Sequence, residues 1–265
     1  MGLPEDSRSS FRRGAREGPA RIRRAYDGRC FNSCSESGVE LGGRVLDGGD
    51  WASRPRWSST RESYRSSAAS LLETGAVPFF MGGDHSVTIP LGEALAALGR
   101  PLHVIQIDAH PDLYPEYEGD PFSHACTASR LLELDHVAGL TQIGVRAFNT
   151  LQRRQARSWG ERLRIIEARN VQGQLPYPQW IPREAVVYLT LDIDALDPAY
   201  APGVSHPVPG GLTTRQVLDW LIGFPWRLAG MDLVEVNPSR DLNDLTSIAA
   251  ARLLHEAMAR AAAGH

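Results

Sequence analysis

From Tyr64 onward the chain alternates short, almost uninterrupted apolar runs with stretches of helical period, and this alternation restricts the fold more than any other feature. The spacing predicts strands at Val77 to Met81, Leu102 to Ile107, Leu140 to Val145, Leu163 to Ile166, Ala185 to Leu191 and Leu228 to Val234. Helices are predicted from Tyr64 through Leu72 and at Ile89 to Leu98, Thr127 to Leu134, Leu151 to Gly160, Thr214 to Ile222 and Ser247 to Ala262. A strand without polar alternation has both faces buried, which a parallel sheet covered by helices on each side provides. In such sheets ligands bind at the carboxyl ends of the strands. A length of 265 residues suits one core of this kind, and neither an internal repeat nor a low-complexity linker divides it.

Residues 1 to 66 differ, being rich in Arg, Ser and Gly with only short apolar runs such as Val45 to Leu46. Composition predicts loops and short helix there, and a flexible basic tail is an equal reading on composition alone. The net charge of −3 and pI near 6.2 leave no electrostatic footprint for nucleic acid or an anionic membrane, so a small-molecule partner is expected. No apolar run approaches the ~20 residues that span a bilayer, and the N-terminus lacks an apolar signal core. Cys30, Cys34 and Cys126 are too few and too irregular for a disulfide framework or a zinc site, which points to a reducing, cytoplasmic compartment.

Three segments at predicted strand ends carry chemistry. Asp108-Ala109-His110-Pro111-Asp112 follows the run ending at Ile107. On an extended backbone Asp108 and His110 point to one side, and a turn through Pro111 returns Asp112 toward them. Asp192-Ile193-Asp194, with Asp197 beyond, repeats the arrangement after Leu191. Carboxylates gathered at a sheet edge raise one another's pKa unless a cation neutralises them. Each segment alone also reads as an Asp-rich turn or helix cap. Gly82-Gly83-Asp84-His85-Ser86 follows Met81, and its glycines are expected to permit a tight turn with positive φ that brings His85 to the same edge. The donors His85, Asp108, His110, Asp112, Asp192 and Asp194 are too many and too oxygen-rich for one zinc. They suit two manganese or magnesium ions about 3.5–4 Å apart, which activate a bridging water as hydroxide.

These residues resemble the ureohydrolase family of arginase, agmatinase and their relatives. The Gly-Gly-Asp-His-Ser turn, Asp-Ala-His-Pro-Asp and the run Asp192 to Leu212 match its three signature segments in order. The likeness extends to Gly14-Ala15-Arg16-Glu17-Gly18-Pro19 with Ile22-Arg23, and to Glu235-Val236-Asn237-Pro238, which places the N-terminal stretch inside the domain. The resemblance implies a single arginase-like α/β domain over residues 1–265, three-layered and doubly wound, with a mostly parallel sheet between helices on both faces. It also implies that the family's first strand, which should precede Gly2-Leu3-Pro4, is absent.

By the same resemblance His85, Asp108, Asp112 and Asp192 surround one Mn2+, and Asp108, His110, Asp192 and Asp194 the other, with Asp108 and Asp192 bridging. Glu235 is implied as the carboxylate that binds a guanidinium, and His124 as the proton shuttle to the departing amine. A homo-oligomer, trimeric or hexameric, is also implied. Alone, Glu235 reads equally as a loop or salt-bridge residue and His124 as a surface histidine. Agmatine is the leading substrate, with arginine, guanidinobutyrate and a formimino amino acid as alternatives. A single-zinc deacetylase on a related fold and an inactive metal-binding subunit are the readings from other classes. Among other candidates, His206 lines a substrate mouth or braces its Pro-rich loop, and Cys126 is expected as a small packed side chain. His103 is expected as a core or hydrogen-bonded residue, and His136, His255 and His265 have no supporting neighbours in sequence. Tyr114, Tyr117 and Phe122 either shape the pocket or anchor the loop before His124.

Overall fold

A computed structural model describes residues 1–26 and 32–264, so Cys30 and His265 lie outside the described residues. Seven strands form one sheet, each parallel to its neighbours: β1 (Gly2–Leu3), β2 (Phe79–Gly82), β3 (Leu102–Ile107), β4 (Val137–Val145), β5 (Leu163–Glu167), β6 (Val186–Asp192) and β7 (Arg227–Val234). Their order across the sheet is β1-β2-β7-β6-β3-β4-β5. At the edge of the sheet Gly2 and Leu3 pair with Met81 and Gly82 of β2.

Among the described residues seven α-helices accompany the sheet: α1 (Gly18–Ala25), α2 (Trp57–Glu73), α3 (Thr88–Ala94), α4 (Thr127–Leu132), α5 (Thr150–Ser158), α6 (Thr214–Ile222) and α7 (Leu245–Ala262). The apolar runs lack alternation because each strand feeds two cores. Val187, Leu189 and Leu191 of β6 pack with Ile22, Trp220 and Leu253 from α1, α6 and α7. Val186 and Tyr188 turn to the other face, among Tyr64, Leu91 and Leu131 from α2, α3 and α4. Burying a side chain of this size contributes about 1.5–3 kcal/mol, so two filled faces are what make the continuous apolar runs necessary.

The helix predicted from Tyr64 begins seven residues earlier. Its buried positions Trp57, Thr60, Tyr64, Ala68 and Leu72 keep a helical period, but Thr60 is polar and hides the first turns from a hydropathy reading. The N-terminal stretch is not a tail: α1 buries Gly18, Pro19, Ile22 and Ala25. Gly82 and Gly83 do not take positive φ, contrary to expectation. They are required for close approach instead, since a Cβ on Gly83 would lie 1.8 Å from the carbonyl oxygen of Glu5 and one on Gly82 would lie 2.6 Å from Val234.

Candidate metal centre and substrate cleft

From β3 the chain moves outward through β4 to β5, whereas β6 returns beside β3 and continues to β7. The loops leaving β3 and β6 therefore part company, and the crevice between them is where open α/β sheets place ligands. Both Asp-rich segments open into it.

Six of the residues singled out in sequence converge there. His85 Nδ1 lies 3.1 Å from Asp108 Oδ2, 3.0 Å from Asp112 Oδ2 and 3.4 Å from Asp192 Oδ2. His110 Nδ1 lies 3.0 Å from Asp194 Oδ2 and 3.7 Å from Asp108 Oδ1. Two groups of potential ligand atoms result, His85 with Asp108 and Asp192, and Asp108 with His110 and Asp194, so that Asp108 is common to both. The backbone is bent to achieve this, for Asp112 takes φ 47° and Glu235 φ 66°, a left-handed region that is strained for a side-chain-bearing residue.

The cluster suits cations on two independent observations. First, the tautomer of His85 is set from behind. Asp232 accepts the hydroxyl proton of Thr190 at 2.6 Å, so the Thr190 oxygen accepts from His85 Nε2–H at 2.9 Å. Nδ1 therefore presents a lone pair to the carboxylates, and it is buried without any hydrogen-bond partner. Second, acceptors face acceptors. Burial first, then Asp194 and Asp108, push the pKa of Asp192 well above the carboxylate range, and burial followed by Asp108 raises that of Asp112. A lone pair surrounded by oxygens of this kind calls for positive charge.

Further supports were not legible in sequence. Gln142 donates to Gln106 Oε1 at 2.8 Å, and Gln106 donates to Asp108 Oδ2 at 2.7 Å, locking a carboxylate that is fully buried. Arg146 donates to the carbonyls of Gly144, Asp194, Ala195, Leu196 and Val208, bracing the loop that carries Asp194. Asp232 and Gln106 leave one trace, a polar residue within a mostly apolar strand.

Glu235 and His124 meet at the cluster's edge. Glu235 follows β7, and its amide donates to Gly83 O at 2.8 Å. Glu235 Oε1 accepts from the His85 amide at 3.0 Å and lies 2.8 Å from His124 Nδ1. Glu235 Oε2 is buried with no partner at all. Ser10, which sequence reasoning missed, directs its N–H at His124 Nε2 from 3.1 Å and has its hydroxyl 2.8 Å away. That amide fixes Nε2 as an acceptor, leaving the proton of the neutral ring on Nδ1. Burial acts to lower the His124 pKa, but Glu235, Asp84 and Asp112 carry it up to about 9. The neutral form accordingly depends on nearby positive charge offsetting those carboxylates.

The cleft above has a volume of about 390 Å³. His85, His110, Asp112, His124, Asp192, Asp194 and Glu235 line it, while Asp108 lies beneath. His206 is part of this wall, its ring 5.3 Å from that of His124. Tyr114 and Tyr117 line it as an edge-on pair 5.2 Å apart, whereas Phe122 faces elsewhere, under the Arg61 guanidinium at 4.3 Å. Cys126 is buried and its thiol is pushed up to about 12, chiefly by burial, which makes it a packed side chain rather than a nucleophile. His255, for which no neighbour was expected, is buried on α7 with Nδ1 2.7 Å from Tyr26 OH. His136 likewise lies 2.9 Å from the carbonyl of Gly92.

The arginase family model matches residues 1–259. The chain belongs to the arginase family. Among members of that family it is 37% identical to the mitochondrial arginase 1 of Arabidopsis thaliana over 98% of this chain and 80% of the relative. It is 32% identical to the agmatinase of Bacillus anthracis, over 96% of this chain and 88% of that one. The agmatine ureohydrolase of Thermoplasma volcanium superposes with a TM-score of 0.88 at 30% identity, covering 98% of this chain and 88% of that structure. The arginase-like α/β fold and a hydrolase's chemistry on guanidino C–N bonds come with membership. No helix among the described residues is long and apolar enough to cross a membrane.

Proposed function

We propose that this arginase-family chain is a dimanganese amidinohydrolase that splits agmatine into urea and a diamine. The observation that carries this reading is the buried, unpartnered Oε2 of Glu235 beside the carboxylate–histidine cluster. A guanidinium brings planar N–H donors with positive charge, the group that such an acceptor lacks. We assign His85, Asp108, Asp112 and Asp192 to one ion, and Asp108, His110, Asp192 and Asp194 to the other. Two divalent cations there supply Lewis-acid polarisation and lower the pKa of water toward neutrality.

The chain's own residues do the rest. Glu235 orients the guanidinium carbon over the cluster, and the cleft walls limit its approach. His124 takes up a proton and delivers it to the departing amine, so that water and guanidinium leave as urea and amine. Substrate choice rests on the wall: among the described residues lining the cleft none is Lys or Arg. The carboxylates of arginine, 4-guanidinobutyrate and a formimino amino acid would find no counter-charge, whereas agmatine carries none. A second reading, arginine, draws support from the relatives at 34–37% identity that are named arginases. A cytoplasmic homo-oligomer, trimeric or hexameric, of a single ureohydrolase-like domain completes the proposal.

The test is urea release by manganese-loaded protein from agmatine, arginine and 4-guanidinobutyrate, and formamide release from formiminoglutamate. Agmatine should give the highest kcat/KM, and Glu235→Ala should abolish saturation by it. No urea from any guanidino compound and no formamide from formiminoglutamate would refute hydrolysis, and faster arginine turnover would install the second reading.

A further inference from the structure

A cavity of about 860 Å³, larger than the substrate cleft and sharing no lining residue with it, has the opposite chemistry. Arg8, Arg13, Arg16, Arg54, Arg56 and Arg61 all line it, against the two carboxylates Glu5 and Asp6. Those acids are turned to their own segment: Glu5 accepts the Ser7 amide at 2.7 Å, and Asp6 accepts the Gly14 amide at 2.8 Å. Arg61 is paired with Glu93 and Arg8 with Asp120, but the side chains of Arg54 and Arg56 are exposed and have no ion pair or hydrogen bond among the described residues.

Three further features share the sign. Trp57 lines the cavity at 8% exposure, and its Nε1–H is buried without an acceptor. Arg8 Nε, with its guanidinium 5.7 Å above the Trp57 ring, is buried and unpartnered as well. The 17-residue helix α2 starts at the same spot, where Arg56 supplies no side-chain cap and the first turn holds no acid. Its positive end is thus uncompensated, and helix starts of this kind favour anions. Donors without acceptors and arginines without acids lack the same thing.

We propose that this cavity binds a multiply charged oxyanion of the phosphate or polycarboxylate class. Trp57 Nε1, Arg8 Nε and the start of α2 are the donors, and Arg54 and Arg56 are the charges that draw the anion in. A cationic guanidino substrate is excluded by sign, so this site is separate from the hydrolytic one and stands whether or not that reading holds.

The test is calorimetric titration of manganese-loaded protein with inorganic phosphate and, separately, tricarballylate at low salt. At least one should bind saturably, one per chain, and weaken as salt is raised. Arg54→Ala/Arg56→Ala should weaken it at least tenfold, and Trp57→Phe, which keeps the ring but removes the N–H, several-fold. All three proteins keep the carboxylate–histidine cluster, so any contact of the anion with metal is common to them and cancels in the comparison. Which probe binds distinguishes phosphate from carboxylate recognition. Failure of both probes, or equal binding by wild type and double variant, would overturn the proposal. So would dissociation of an oligomer by the double substitution in light scattering, which would give these arginines to a neighbouring copy.

Discussion

His124 is held by two partners that belong to chain segments far from it, Ser10 at one ring nitrogen and Glu235 at the other. A group that passes a proton to the leaving amine accelerates the chemical step by about 10²–10⁴-fold and contributes little to ground-state binding. His124→Asn should therefore lower kcat for urea release by about 10²-fold or more with KM nearly unchanged in steady-state assays. An equal loss in KM would recast His124 as a binding residue. At this scale the sequence was readable wherever a donor stood next to the end of an apolar run, as Asp108 and Asp192 do. Ser10 was not readable, because nothing in an Arg- and Ser-rich stretch announces which serine will face an imidazole 114 positions away.

Among elements, the connection after β6 shows how a loop is made stiff without secondary structure. Asp197 accepts the amides of Ala199, Gly210 and Gly211 at 3.0, 2.7 and 3.0 Å, and Gly211 packs so closely that a Cβ would lie 2.6 Å from Asp197 N. The amide of Ala199, then those of Gly211 and Gly210, hold the Asp197 pKa below its ordinary value of 3.8. A depressed carboxylate contributes stability that is present above the unfolded value and is lost as pH falls through the folded one. Since the residue is partly exposed, Asp197→Ala should cost only about 1 kcal/mol in urea denaturation at neutral pH. That difference should vanish in strong acid. Strand and helix order was legible because apolar runs and helical period are local signals. The start of α2 was not, since Thr60 is buried in the midst of a polar stretch and only the packed chain reveals it.

For the molecule as a whole, the cluster sets acceptor against acceptor at the centre of the sheet, so cations binding only the native chain should stabilise it by mass action. At about a hundredfold excess over the dissociation constant this amounts to about 2.7 kcal/mol, or roughly 5–10 °C in Tm for a chain of this size. Chelator-treated protein should melt lower by that margin in scanning calorimetry and recover on adding manganese. An unchanged Tm would mean that the cluster holds no ion. The fold class was legible at this scale too, since runs buried on both faces admit few architectures, whereas the arginine-lined cavity was not, because its residues look like an ordinary basic surface until β1 and α2 bring them together.

The strand order has a consequence for biosynthesis. His85 and Asp194, the first and last of the assigned ligands, follow β2 and β6, which stand on either side of β7, the last strand made. At about 5–20 residues per second, roughly 5–22 s separate the appearance of the first donor from that of the last. During that interval the early carboxylates meet every divalent ion in the surroundings without a finished site to select among them. On the proposed reading the choice of metal would fall to the completed chain, by exchange, rather than to whichever ion arrives first.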